Sequence, residues 1–216
     1  MNRDLKDMRI NYVSDELDVS NVDPNPLNQF THWLDEVLRS DEIEPNGMTL
    51  ATVDENGHPS ARTVLLKETN TNGFVFFTNY TSKKGKQIGR TGQGSILFWW
   101  KVLFRQVRID GTIEKIPYED SNAYFKTRPI ESQIGANISP QSKVIESREV
   151  LENAFLELAQ KVKNGEAELK MPEHWGGYIL KPTLFEFWQG RESRLHDRIQ
   201  YSLQADGSWK IERLAP

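Results

Sequence analysis

Apolar positions along this chain follow two rhythms, one of about 3.6 residues and one of 2, and these set the first expectations about its elements. After Asn25-Pro26, residues Leu27, Phe30, Trp33, Leu34, Val37 and Leu38 recur at helical spacing. A capping asparagine and a first-turn proline mark the start of that helix, and its apolar stripe predicts packing on a sheet. Short strand-like runs follow at residues 48–53 and 60–67, joined by a turn at 54–57 in which Asn56-Gly57 is a strong hairpin signal. Residues 74–78 and 95–100 read as further strands. Within 105–113, Val107, Ile109 and Ile113 fall on one face and Gln106 and Arg108 on the other, the pattern of a half-buried strand.

Helical spacing returns at 117–126 and at 147–163, where Leu151, Phe155, Leu158 and Val162 recur before Asn164-Gly165 ends the helix. The last part is β again at 177–180, 184–188 and 194–203, with an Asp206-Gly207 turn leading into 209–214. About eight short strands interrupted by a few helices predict a mainly β protein with α (α+β), an antiparallel barrel with helices packed around it. No strand-helix alternation supports a doubly wound sheet. No internal repeat, low-complexity tract or linker divides the chain, so it reads as one unit.

Composition narrows the class. At 216 residues the chain fits one domain able to bury a real core. It has no cysteine, which excludes disulfides, thiolate nucleophiles and zinc-finger spacing. The polar start Met1-Asn-Arg-Asp-Leu-Lys-Asp and the lack of any apolar run of roughly 18 to 20 residues predict a soluble, cytoplasmic protein with no membrane partner. A net charge of −4 exerts no overall pull toward nucleic acid. The charge is unevenly spread, however. Between Glu68 and Asp110 there is no acidic residue, while Lys83, Lys84, Lys86, Arg90, Lys101, Arg105 and Arg108 all fall there. Such a stretch either docks an anion or forms a solvated basic face balanced from elsewhere in the fold.

A second basic region favours the anion. Trp188-Gln-Gly-Arg-Glu-Ser-Arg-Leu-His-Asp-Arg198 sets an aromatic plane, three arginines and a histidine close together. Guanidinium presents donors in a planar fork matched to carboxylate or phosphate. In an extended stretch Arg194, His196 and Arg198 would line one side, with Leu195 and Asp197 on the other; the plainer reading is a charged edge strand. Arg62-Thr-Val-Leu-Leu-Lys67 would place its two cations on opposite faces of a regular strand. Tyr124, Arg128 and Ser132 sit four apart; where helix persists, Tyr124 and Arg128 share a face, and the three groups could cradle a phosphate.

Other chemistries find no support. There is no Gly-x-Gly-x-x-Gly after a strand, no Walker-type loop and no Gly-x-Ser-x-Gly. His32, His58, His174 and His196 lie far apart without ligand-like carboxylate spacing, so no metal site is expected.

Several of these segments recur, in order, in one known family. Arg62-Thr-Val-Leu-Leu-Lys67, Phe77-Thr-Asn, Ser82-Lys-Lys84, Arg105-Gln-Val-Arg-Ile-Asp-Gly111, Tyr124-Phe-Lys-Thr-Arg-Pro129, Ser132-Gln-Ile-Gly-Ala136, Phe187-Trp-Gln-Gly190, Arg194-Leu-His-Asp-Arg198 and Arg213-Leu-Ala-Pro216 resemble pyridoxine (pyridoxamine) 5′-phosphate oxidase, from about residue 9 to the end. The resemblance implies an FMN-binding split β-barrel of antiparallel Greek-key type with peripheral helices. It also implies a homodimer with FMN at the interface, and oxidation of pyridoxine or pyridoxamine 5′-phosphate to pyridoxal 5′-phosphate by O2. A mobile N-terminal arm over 1–20 would precede a single domain over 21–216.

Carried over residue by residue, the resemblance gives Arg62, Lys83 and Lys84 to the FMN phosphate. Phe77, Thr78, Gln106, Gln141, Ser142, Trp188 and Arg198 would line the rest of the flavin site, with Lys67 between flavin and substrate. The substrate phosphate would meet Lys67, Tyr124, Arg128 and Ser132. Arg194 and His196 would be the catalytic pair against the pyridine ring, and Arg9 and Tyr12 would help cover the site. Lys83 stands where the family usually has arginine, and Phe104 where it usually has a polar residue. The lysine keeps the charge and loses the bidentate fork, which predicts weaker FMN retention.

Two rivals come from other classes. A noncatalytic split-barrel protein binding flavin or pyridoxal phosphate would keep the FMN positions and have no need of Arg194 and His196. A single-stranded nucleic-acid binder could use Phe74, Phe76, Phe77, Phe98, Trp99 and Trp100 to stack bases. Net acidity counts against it, and so do adjacent aromatics on alternating faces, which cannot all be exposed.

Overall fold

The structure, a computed structural model, describes residues 4–7, 10–12, 14 and 16–216. The order of elements is α1 (Pro26–Leu38), β1 (Gly47–Val53), β2 (Pro59–Leu65), β3 (Glu68–Asn70), β4 (Gly73–Asn79), α2 (Lys83–Thr91), β5 (Gln93–Trp100), β6 (Arg105–Lys115), α3 (Tyr118–Thr127), α4 (Ile130–Ile138), α5 (Arg148–Lys163), β7 (Trp175–Gln189), a 3-10 turn (Glu192–Arg194), β8 (Asp197–Leu203) and β9 (Trp209–Arg213). Among the described residues the strands form one nine-stranded sheet in the order β2-β1-β5-β6-β7-β4-β3, with β8 pairing β7 and β9 pairing β8. The α+β class read from the sequence is the one observed. Among the described residues no helix is long and apolar enough to cross a membrane.

By contacts the chain separates into two compact units, one made of Met1–Thr49, Ser95–Gly111 and Pro182–Pro216, the other of Leu50–Gly94 and Thr112–Lys181. In the first, α1 starts where expected because the Asn25 side chain accepts from the Leu27 N–H and Pro26 needs no donor. Of its stripe Phe30, Trp33 and Val37 are buried, Leu27 and Leu34 are half-buried and Leu38 is exposed; Phe30 lies 5.1 Å from Phe98 and Trp33 packs edge-on to Phe187 at 5.2 Å. Each such side chain contributes about 1.5–3 kcal/mol by leaving water. The β7–β8 register pairs Phe187 with Ile199 and Phe185 with Tyr201, all fully buried. Pleat alternation therefore sends Glu186, Trp188, Arg198 and Gln200 to the opposite face.

In the second unit β4 pairs antiparallel with β3 and with the first part of β7, Phe74 opposite Leu180 through Asn79 opposite Trp175. Gly73 is at φ 144, and a Cβ there would lie 2.0 Å from the Leu180 carbonyl oxygen, so only glycine fits.

Several boundaries differ from the sequence reading. The strands expected at 177–180 and 184–188 are one continuous β7. Its pairing with β4 stops at Leu180 and its pairing with β8 begins at Leu184, so Pro182 costs neither ladder a donor. The run from Ser60 to Lys67 ends as a strand at Leu65, which removes the parity argument for Lys67. The strand expected from Arg194 begins at Asp197. Helix α3 stops at Thr127, with Arg128 extended at ψ 149 because Pro129 follows. Helices α2 and α4 lie where no apolar stripe marked them; α2 is framed by the Ser82 cap and Gly92 at φ 61. Helix α5 is present as expected, but its Leu151, Phe155, Leu158 and Val162 are only half-buried.

Candidate active site

In the second unit, β2 carries Arg62 to the backbone of β1 and to α2. Its Nη1 donates to the Leu50 carbonyl at 2.9 Å and to Thr52 Oγ1 at 2.7 Å, and its Nη2 lies 3.5 Å from Gln87 Oε1. The buried Thr52 hydroxyl donates to the buried Gln87 amide oxygen at 2.7 Å, which fixes both acceptors. Lys84 stands in the first turn of α2, where its Nζ donates to Gln141 Oε1 at 2.8 Å and Thr78 Oγ1 at 3.3 Å. Burial holds the pKa of each cation below its ordinary value, and for Lys84 the charge of Arg62 lowers it further. Among the described residues neither forms an ion pair with a carboxylate. Two partly buried cations that repel each other at a helix N-terminus make a cradle for an anion, phosphate above all.

A second cationic site lies in the same unit. Phe77 and Tyr124 stack at 3.9 Å, Trp175 continues the stack at 5.5 Å from Phe77, and the Arg128 guanidinium sits 4.6 Å from the centre of the Trp175 ring. Burial lowers the Arg128 pKa, partly offset by Tyr124, and raises that of the Tyr124 hydroxyl. Arg128 Nη1 is buried without a hydrogen-bond partner. A guanidinium N–H left so is costly unless a ligand meets it. Ser132 follows in the first turn of α4, half-buried.

In the first unit, β7 and the 3-10 turn carry a third cluster. His196 lies 4.6 Å from the Trp188 ring, and Tyr12 packs on both, at 5.7 Å from His196 and 6.0 Å from Trp188. Tyr12 also lies 4.6 Å from Phe104, whose φ is 51. A cavity of about 550 Å³ is lined by Ile10, Asn11, Tyr12, Trp188, Arg191, Ser193, Arg194 and His196. His196 Nδ1 lies 3.0 Å from the Arg191 backbone N–H, so it accepts, and the neutral ring carries its proton on Nε2. Burial lowers the His196 pKa, Arg194 lowers it further and Asp197 opposes them. The imidazole is therefore neutral near pH 7. The bulky, polarisable wall and the adjoining cations suit a planar, anionic, conjugated ligand.

The chain thus brings Arg62 near Lys84, Lys84 to Thr78 and Gln141, Phe77 to Tyr124 and Trp175, Arg128 to Trp175, and Tyr12 to Trp188 and His196. Arg194 lines the same cavity as His196. Lys67, Lys83 and Ser142 are exposed, Ser142 at φ 69, and Gln106 is half-buried on β6. Arg9 lies outside the described residues. Two geometric expectations are corrected. Arg194, His196 and Arg198 do not alternate along one strand, because Ser193 and Arg194 take φ of 56 and 62 and the Leu195 N–H turns back to the Glu192 carbonyl. Tyr124 and Arg128 meet across a helix end rather than along a helix face. Sequence reasoning also passed over Thr52 and Gln87 beneath Arg62, Trp175 under Arg128, and Glu186, which holds Arg198. Only their supporting contacts identify them; taken alone they look like ordinary core or strand residues.

Comparison with known proteins shows which family this chain resembles in sequence and fold. A family model described as Pyridoxamine 5′-phosphate oxidase matches residues 34–161, and one described as Pyridoxine 5′-phosphate oxidase C-terminal dimerisation region matches residues 175–216. The chain is 49% identical over 216 residues to the pyridoxine/pyridoxamine 5′-phosphate oxidase of Gloeothece citriformis, covering 100% of both chains. Its fold is similar to that of PhzG from Burkholderia lata, solved in complex with tetrahydrophenazine-1-carboxylic acid, with a TM-score of 0.87 at 27% identity, over 94% of this chain and 99% of that one. A pyridoxamine 5′-phosphate oxidase-related, FMN-binding protein from Nostoc punctiforme shares the fold with a TM-score of 0.70 at 17% identity, over 90% of this chain and 100% of that one.

Proposed function

The chain belongs to the pyridoxamine 5′-phosphate oxidase family, and from that premise we propose that it oxidises pyridoxine and pyridoxamine 5′-phosphate to pyridoxal 5′-phosphate. FMN is the cofactor, and O2 the acceptor that yields hydrogen peroxide; the amine substrate also consumes one water and releases ammonia. The observation that carries the reading is two distinct basic sites in one unit, each without a carboxylate partner among the described residues: Arg62 with Lys84, and Arg128 with its orphaned Nη1. Cofactor and substrate are both phosphate monoesters, so two cradles are what the reaction needs.

The residues fit these roles. Arg62, Lys84 and the exposed Lys83 hold the flavin phosphate, and Thr78, Gln141 and Ser142 bound that end. Phe77, Gln106, Trp188 and Arg198 take the rest of the flavin site. Arg128, Tyr124, Ser132 and Lys67 take the substrate phosphate. When bound, FMN supplies the acceptor of a hydride equivalent from the substrate carbon bearing the alcohol or amine. Arg194 and the neutral His196 orient the substrate ring, and His196 Nε2–H donates to it while Nδ1 stays held by the Arg191 N–H. Tyr12 closes over the pair and excludes water; Arg9 assists it. The working protein is a cytoplasmic homodimer with FMN at the subunit interface.

An absorbance spectrum of the purified protein followed by anaerobic addition of pyridoxamine 5′-phosphate tests this. A yellow flavin spectrum that bleaches is expected. A flavin band that persists would identify a noncatalytic binder, and a colourless protein that takes up no added FMN would end the proposal.

A further inference from the structure

On the face of β7 opposite the aromatic core, Glu186 is 5% exposed and its carboxylate is gripped from two neighbouring strands. Arg108 Nη2 of β6 donates to Oε2 at 3.0 Å. From β8, Arg198 Nε donates to Oε1 at 2.9 Å, and Arg198 Nη2 lies 2.9 Å from the same oxygen. The third nitrogen, Arg198 Nη1, donates to the Ala215 carbonyl at 2.9 Å. Asp110 lies 3.4 Å from Arg108, so Arg108 is shared by two carboxylates while Arg198 has Glu186 as its ion-pair partner.

We propose that Glu186 is a positioning residue for the flavin site, acting through Arg198. The proposal rests on the FMN reading above. A buried carboxylate beside two guanidiniums could be cross-strand stabilisation alone, but the bonding pattern is one-sided. Both Arg198 contacts to Glu186 fall on one edge of the fork, and the Ala215 carbonyl takes Nη1. Of five N–H donors three are spent, which sets the plane and leaves two for a ligand. The β7–β8 register puts Trp188 directly opposite Arg198 on the same face, with Glu186 two residues before Trp188. Glu186 thus fixes a cation beside an aromatic wall without occupying the ligand's place.

The test is FMN affinity, measured by quenching of flavin fluorescence on titration into apoprotein, for wild type, Glu186→Gln, Arg198→Gln and the double variant. Glu186→Gln keeps the volume and one acceptor, and should weaken FMN binding at least about tenfold, the scale of one charge-assisted hydrogen bond. It should also alter the flavin band shape, which a general loss of stability would not. The double variant should bind FMN within about twofold of Arg198→Gln, because one acts through the other. Should Glu186→Gln not fold, Glu186→Gln with Arg108→Met removes one charge of each sign and leaves Arg198 unanchored; the same weakening is expected. Wild-type affinity in either variant, or losses that add in full, would overturn the proposal. A wild-type protein that binds no FMN would instead overturn the function on which it rests.

Discussion

Replacing Arg62 by methionine separates binding from stability. Its guanidinium makes close hydrogen bonds to the Leu50 carbonyl and the Thr52 hydroxyl, and it lies near enough to Lys84 to lower that ammonium's pKa. Without an anion the two hydrogen bonds are offset by that repulsion and by partial burial of the charge. After substitution Thr52 still has its bond to Gln87. The apoprotein should therefore change in stability by no more than about 1 kcal/mol, the net size of an ordinary hydrogen bond. With FMN present, a charge-assisted contact to phosphate is lost, worth about 1.5–3 kcal/mol. At 1.4 kcal/mol per decade, affinity should fall roughly tenfold to a hundredfold. Arg62→Lys should fall between, since it keeps the charge and loses the fork. Fluorescence titration gives the first quantity and urea denaturation of apoprotein the second. An FMN affinity within about twofold of wild type, or a stability loss as large as the binding loss, would refute the assignment of Arg62 to a phosphate.

Further outcomes follow from the other clusters. Arg128→Met should raise KM for pyridoxamine 5′-phosphate at least about tenfold with a smaller effect on kcat, and should not lower apoprotein stability, because it removes an unsatisfied buried N–H; an unchanged KM in oxygen-uptake assays would contradict it. By NMR titration His196 should ionise below the ordinary histidine range, and Arg194→Gln should raise its pKa; a value unmoved by that change would be evidence against the contact. Because the folded-state pKa lies below the unfolded one, this residue's contribution is complete above the unfolded value and is lost as pH falls through the folded value, so His196→Asn should flatten the acid side of the stability curve. In Gly190→Ala the new Cβ would stand 2.9 Å from Tyr12 ring carbons and 3.0 Å from Phe104 Cβ. Faster limited proteolysis around Tyr12 and a higher KM are expected, and a wild-type cleavage pattern would count against the Tyr12 seat.

The sequence was most legible where a single physical signal dominates. Helix α1 has cap, proline and stripe in agreement, and β6 shows clean alternation, with Val107 and Ile109 fully buried. It was least legible where backbone geometry overrides pattern. Helix α2 carries Lys, Gly and Gln instead of an apolar stripe, and its boundaries come from Ser82 and Gly92. The Arg194 segment is polar enough for a strand, yet its local turn bonds win over the ladder. The basic regions were visible as charge, and the family motifs named their residues. What joins Arg62 to Gln87, or Arg128 to Trp175, depends on strand and helix packing across gaps of 25 and 47 residues, which no local pattern encodes.

The carboxylate of Glu186 also constrains how this chain can diverge. Its two guanidinium partners come from different strands, so no member of the trio drifts freely: losing the acid strands Arg198 and leaves Arg108 with Asp110 alone, and losing an arginine leaves a buried anion half satisfied. Neutral paths through sequence space must pass through paired changes, and descendants that abandon the cluster should abandon it whole, exchanging all three side chains for apolar ones that fill the same volume.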